Sequence, residues 1–499
     1  MRLSVPTTWV LLLITVLVSP LVRAQEPANA DLAAARLQFR QGNFKDAAAA
    51  FRKIIEHDPT PQAWAGVVES LLKLDDVKSA TESSQKSLEA FPQAALVHAA
   101  RGDVEFRRGF MSKAGDEYQI ALKLDPSCAR AWLGQGKLDY VLARRTSAKE
   151  AVIKAHELDP EDGDAFYEWA IRQRYPGNVA ALEKHMAEFR NDPEAEGHER
   201  DYLELLKALA GREVWILRPE VSRAELKLEP MFPGPGSPLR GYGLRVSFND
   251  KASATLLLDT GASGVTISRK FAEKIGARKL SDQALEGIGK GSAVHGYHAW
   301  VDKVTIGALE FHDCYVKVAP QTVADADGLI GTDIFEKFLV TVDFSARKLR
   351  LEPLPPAAAS GDDHPAQAQP FAQAMAFGHL LLLETRAGAD ASGLFALDSG
   401  SNTSTISSEL GKGMRQMRPL NTRAAGMRGG ANSSYIADDV TLEFAKTRRT
   451  GQRLITLDLH AISKDLGTEL SGQIGFNTLQ DGRVVINYRD GLVGFVEKK

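Results

Sequence analysis

The stretch Leu256-Leu257-Leu258-Asp259-Thr260-Gly261-Ala262-Ser263 returns later in the chain as Phe395-Ala396-Leu397-Asp398-Ser399-Gly400-Ser401-Asn402. In both places an apolar run reads as a buried strand that delivers a carboxylate into a glycine-bearing turn. The surroundings repeat as well. Leu244, Val246 and Phe248 alternate with more polar neighbours before the first acidic turn, and an apolar run over 380–383 precedes the second. Val265-Thr266-Ile267-Ser268 leads into a short helix over 271–275, and Ser404-Thr405-Ile406-Ser407 leads into one at Glu409-Leu410. Leu329-Ile330-Gly331 closes the first unit and Gln473-Ile474-Gly475 the second.

This duplicated signature resembles the pepsin-like and retropepsin-like aspartic proteases. The resemblance covers roughly residues 240–498. It implies a two-lobed all-β fold in which each lobe donates one Asp from an Asp-Thr/Ser-Gly loop, with an apolar-apolar-Gly segment passing beside that loop. It implies Asp259 and Asp398 as the catalytic pair. Thr260 and Ser399 are expected to clasp the opposite loops. Gly261 and Gly400 allow the backbone N–H groups to approach the carboxylates. Ser263 is expected to support Asp259. Asn402 stands where the family places a hydroxyl, and its amide is able to donate to Asp398. A candidate flap runs through Gly287, Ile288 and Gly289 toward Tyr297, with Gly426 to Gly430 at a similar point of the second unit.

Two carboxylates held a few ångströms apart cannot both ionise cheaply, so they share one proton. The ionised member accepts a proton from water and the protonated member polarises the scissile carbonyl. The activity implied is that of an aspartic endopeptidase needing no cofactor and no metal. The alternative is a non-catalytic peptide-binding or scaffold protein retaining the protease fold, because Asn402 and Gln473 depart from the pattern in the second unit.

The first third reads differently. Ala47, Ala80, Ala114 and Ala148 recur with a period of about 34 residues, as do Asp58-Pro59, Phe91-Pro92, Asp125-Pro126 and Asp159-Pro160. The small residues admit close helix pairs, and each proline is expected to open the following helix. The pattern resembles the tetratricopeptide repeat, which implies an all-α solenoid with a surface for a protein partner or substrate. Residues 176–210 read as further helices capping the stack.

The boundaries expected are 1–24 for a signal peptide, 25–210 for the repeats, 211–239 for a connector, 240–355 for the first lobe, 356–370 for a linker and 371–499 for the second lobe. Arg2, the apolar run 9–18 and Val22-Arg23-Ala24 carry the signal reading, hence a periplasmic or secreted protein with no stable membrane span after cleavage. The formal charge of -3 over 499 residues argues against a broad nucleic-acid surface. Cys128 and Cys314 fall in different units and read as lone buried thiols, and His295, His298 and His312 as structural side chains.

Overall fold

The computed structural model describes residues 26–498, apart from 191–192, 235, 286–293, 322–325, 357–370, 390, 416, 420–422, 427–428 and 433–434. It consists of an N-terminal all-α repeat region followed by a mixed β-sheet domain.

Helices Glu26–Arg40 and Phe44–His57 form the first antiparallel pair, and Pro61–Lys73 with Val77–Ala90 the second. Ala95–Arg107 with Met111–Leu124 and Ala129–Val141 with Arg145–Leu158 continue the stack. Gly163–Ala170, Gly177–Glu188 and Pro193–Leu209 complete it. The four recurring alanines are all buried, so the period seen in the sequence is the period of the packing. Each tight turn within a pair places one residue in the left-handed region. Glycine fills that position at Gly42 and Gly109, but Asp75 and Ala143 fill it in the other two pairs. The prolines of the Asp-Pro steps precede the helices instead of opening them. After the first of these steps it is Pro61 that occupies the first helical turn, with Thr60 capping it by accepting from Ala63 N. Aromatic rings rest directly on glycines across the stack. A Cβ on Gly134 would lie 2.2 Å from the Tyr118 ring, and one on Gly66 would lie 2.6 Å from Phe51.

The β-domain contains two large sheets and a shared one. The nine-stranded sheet is built from strands between Ile216 and Gly331, and the eight-stranded sheet from strands between Met375 and Ile474. Their central arrangement is the same. Gly328–Gly331 runs parallel to Ala252–Asp259 and antiparallel to Val265–Ser268. Gly472–Ile474 runs parallel to Ala391–Leu397 and antiparallel to Ser404–Ser407. A six-stranded sheet takes strands from both halves, with Phe338–Asp343 paired to Gly482–Asn487 at its seam. Much of the domain is one continuous apolar core running through both halves, which fixes the two acidic turns relative to each other.

The segment expected to be a connector is part of these sheets. Ile216–Leu217 pairs with Leu309–Ala319, Ala224–Lys227 with Lys348–Pro353, and Glu229–Met231 with Gly241–Phe248. It therefore forms sheet strands. Its apolar Leu226 and Leu228 drop into the core, a short alternation easily missed beside the Pro-Gly loop that follows.

The repeat region is joined to the β-domain by its own apolar cluster. Met111, Tyr118, Leu138 and Val141 pack with Met375, Leu394, Leu459 and Leu470. Thr468 Oγ1 donates to Phe106 O at 2.8 Å, and Asp201 accepts from Ala284 N at 2.7 Å. The linker expected at 356–370 lies almost wholly outside the described residues. Among the described residues no helix is long and apolar enough to cross a membrane.

Candidate active site

Asp259 ends strand Ala252–Asp259, and Asp398 directly follows strand Ala391–Leu397. The structure brings both to one point between the two halves, where each is 9% exposed. The two carboxyl groups lie against the same turn: a Cβ on Gly261 would sit 3.1 Å from Asp398 Oδ1 and 3.3 Å from Asp259 Oδ1. The turns fit around them closely. A Cβ on Gly400 would lie 2.2 Å from Asp259 Oδ2, and one on Gly261 would lie 2.9 Å from Asp398 Cγ. Any side chain there would push the loops apart, so glycine is required for close approach.

Each turn donates to its own carboxylate. Gly261 N donates to Asp259 Oδ1 at 2.8 Å, and Ser401 N donates to Asp398 Oδ1 at 2.9 Å. The two loops also clasp each other. Thr260 Oγ1 donates to Leu397 O and accepts from Ser399 N, both at 2.9 Å. Ser399 Oγ donates to Leu258 O at 3.0 Å and accepts from Thr260 N at 3.1 Å. Thr260 and Ser399 are each 1% exposed, so the four bonds are sheltered from water.

Burial raises Asp259 above the ordinary carboxylate value, against the backbone N–H groups of the turns and the nearby charge of Arg240. Burial first, and then the charge of Asp259, push Asp398 up to about 8. The two acids titrate as a pair, whose last proton is held above the ordinary carboxylate range by burial and by their mutual charge.

The supporting side chains differ from those expected. Ser263 does not reach Asp259; its hydroxyl accepts from Lys317 Nζ at 3.1 Å. Asn402 is exposed, and its backbone carbonyl accepts from Asn477 N while its side chain makes no bond to Asp398. The side chain that does reach Asp398 is Gln473, whose Nε2 donates to Oδ2 at 2.6 Å. The extra chain length of glutamine, entering from the neighbouring strand, makes the contact that Asn402 cannot. Its signal in the sequence was one polar residue in an otherwise apolar slot. Asp333 accepts from Gly264 N with both oxygens at 2.9 Å. Asn477 plays the same part in the second half, accepting from Ser404 N at 2.7 Å.

His379 was not anticipated. It follows the turn Phe377-Gly378 and, protonated at Nε2, donates to Gly261 O at 3.2 Å. Burial and the charge of Lys317 lower it to about 4, so it is a neutral donor. The same turn, through Ala376, Phe377 and Gly378, walls a groove of about 750 Å³ lined by the repeat helices. Phe377 packs on Phe106 of the repeats at 6.0 Å. Gly287, Ile288 and Gly289 lie outside the described residues. Tyr297 sits in strand Val294–Ile306 with its ring near Arg269 and Lys279. At the matching point of the second half, Arg423–Gly426 pairs with Gly429–Asn432 as a separate hairpin, and 427–428 lie outside the described residues. Among the described residues no group of three or more His, Cys, Asp or Glu is arranged to hold a metal ion. His298 is buried against Ser281, His312 contacts Glu310, and Cys128 and Cys314 are buried free thiols.

Comparison with known proteins gives partial matches. The family described as Aspartyl protease matches residues 244–334, and the family described as Tetratricopeptide repeat matches 32–95. The first match contains Asp259 and Gly331 but stops short of Asp398. The Protein CTR9 homolog of Arabidopsis thaliana is 27% identical over 127 residues, 25% of this chain and 12% of that protein. The chain thus spans only a small part of that relative. The crystal structure of aspartic proteinase from Irpex lacteus is aligned over 56% of this chain and 98% of its own, with 13% identity and a TM-score of 0.35. The helical region is tetratricopeptide-like, and the β-domain carries a segment that resembles aspartic proteases.

Proposed function

We propose that the β-domain is a two-lobed aspartic endopeptidase, with lobes at 240–355 and 371–499, in which Asp259 and Asp398 hydrolyse peptide bonds through an activated water. The observation that carries this reading is the enclosure of two carboxyl groups from equivalent strand ends, each turn's glycine packed against the other's acid. A loop or capping carboxylate has no need of a second acid buried beside it, and burying two without a function is costly.

The chemistry follows from the shared proton. With one carboxyl ionised and one protonated, the ionised member removes a proton from water as its oxygen attacks the carbonyl carbon. The protonated member donates to the carbonyl oxygen. The tetrahedral gem-diol then collapses: the C–N bond breaks, the leaving amine takes a proton from the pair, and one gem-diol hydroxyl returns a proton to the pair as it becomes the product carbonyl, so the pair ends with its single proton. The clasp and the turn N–H groups hold the pair rigid, so little reorganisation is needed during reaction.

The repeat region, 25–210, is proposed to dock a protein partner or present substrate, supported by its shared core with the second half and by the groove that reaches the Phe377–His379 turn. Residues 1–24 are proposed to direct export, placing the enzyme in the periplasm or outside the cell. The test is digestion of a mixed peptide library from about pH 3 to about pH 8, with and without a peptide mimic bearing a non-hydrolysable hydroxyl at the scissile position. Internal cleavages that the mimic suppresses support the reading. Binding of library peptides without any cleavage would transfer the protein to the peptide-binding class.

A further inference from the structure

Gln473 and Leu329 hold equivalent places in the two halves. Leu329 pairs with Leu257, two residues before Asp259, and Gln473 pairs with Ala396, two residues before Asp398. Leu329 joins an apolar cluster with Leu257 and Leu285, so the fold accepts a plain hydrocarbon at this position. Gln473 is 6% exposed, and burying an amide is unfavourable unless both of its ends are bonded. Both ends are. Thr405 Oγ1 donates to Gln473 Oε1 at 3.2 Å, which leaves Nε2 aimed at Asp398 Oδ2.

We propose that Gln473 is a positioning residue for the Asp259–Asp398 pair, holding Asp398 Oδ2 as an acceptor and lowering the pH at which the pair gives up its last proton. An N–H fixed on a carboxylate oxygen favours the ionised form. With Ser401 N on Oδ1 and Gln473 Nε2 on Oδ2, both oxygens of Asp398 are pinned and the carboxyl plane cannot turn. Among the described residues no side-chain amide bonds to Asp259, so this donor acts on one acid of the two. Ionisable groups around the pair include Arg240, whose charge acts on Asp259, Asp333, bonded to Gly264 N, and Tyr488, bonded to Thr332. His379 on the Gly261 carbonyl and Lys317 on Ser263 lie there as well.

The effect on rate rests on the peptidase reading; the effect on titration rests on the geometry alone. Two variants remove the donor: Gln473→Leu copies the first half's residue, and Gln473→Met keeps the length. Two readouts follow Asp398. One is the ¹³C carboxyl titration by NMR, assigned by its loss in Asp398→Asn; the other is the alkaline limb of hydrolysis of a quenched peptide pool. Both midpoints move up by about one pH unit in each variant, the effect of losing one hydrogen bond to a charged group. An NMR midpoint that stays within about 0.3 of the wild-type value overturns the proposal, as does failure of both variants to fold. A shifted NMR midpoint in a wild-type background that cleaves nothing keeps the positioning role and rejects the peptidase.

Discussion

Replacing Thr260 by valine should destabilise the β-domain by about 3 kcal/mol, and the reasoning can be followed bond by bond. Valine has nearly the shape of threonine, so no cavity opens. What is lost is a hydroxyl that accepts from Ser399 N and donates to Leu397 O, both at 2.9 Å. At 1% exposure no water replaces it, and each buried backbone group left without a partner costs about 1–3 kcal/mol. Ser399→Ala orphans Thr260 N and Leu258 O in the same way and should cost a similar amount. The two hydroxyls hold the same pair of loops, so once one clasp is gone the loops part and the other is worth less. The double variant should therefore fall short of the summed single effects by about 1 kcal/mol or more. Urea denaturation followed by tryptophan fluorescence, with the slope on denaturant unchanged, measures all three. A cost below about 1 kcal/mol for Thr260→Val, or strict additivity, would refute the view that the clasp joins the halves.

The acid pair sets a pH dependence of stability. Asp398 is raised to about 8 when folded, above an unfolded value near 4, so its contribution is full below about pH 4 and is lost as pH rises through about 8. Asp398→Asn should flatten that fall and be the more stable protein at the alkaline end; a wild-type curve that gains stability relative to the variant over this window contradicts the assignment. Gly400→Ala puts a methyl 2.2 Å from Asp259 Oδ2 and should lower kcat/KM by about a hundredfold or more through separation of the acids, whereas a loss under about threefold would show that the site tolerates the shift. In the repeats, Gly134→Ala drives a methyl to 2.2 Å from the Tyr118 ring and should cost about 1–3 kcal/mol, while Gly197→Ala, with nothing within 4 Å, should hold or raise stability; thermal unfolding of the two, if equal, removes the packing argument.

The sequence carried the parts of this molecule that repeat. Four alanines at one period defined the helix pairs, and two acidic turns located the paired carboxyls because the same turn recurs with matched flanks, whereas a single aspartate-glycine turn is common in any loop. Single, long-reaching contacts were less legible. Ser263 and Asn402 were placed by their distance along the chain from each acid, yet their side chains turn elsewhere, to Lys317 and to the exterior. Gln473 looked like a weakening of the apolar-apolar-Gly segment and proves to be the side chain bonded to Asp398, since strand register, not proximity in sequence, brings it there. His379 reaches Gly261 from the opposite half, a contact that no local pattern encodes. The strands between Ile216 and Met231 were read as a connector because each is too short to show a period, and they acquire structure only from the sheet edges they join.

The central claim is that Asp259 and Asp398 act as one hydrolytic unit. The direct test is mass-spectrometric digestion of a peptide library by the wild-type chain and by Asp259→Asn and Asp398→Asn separately, at the pH of greatest wild-type activity. The account predicts internal cleavages by the wild type and their loss from both variants, each of which should retain its fold and its binding of the hydroxyl mimic to a measurable degree. Persistence of the same cleavages in either variant would contradict it.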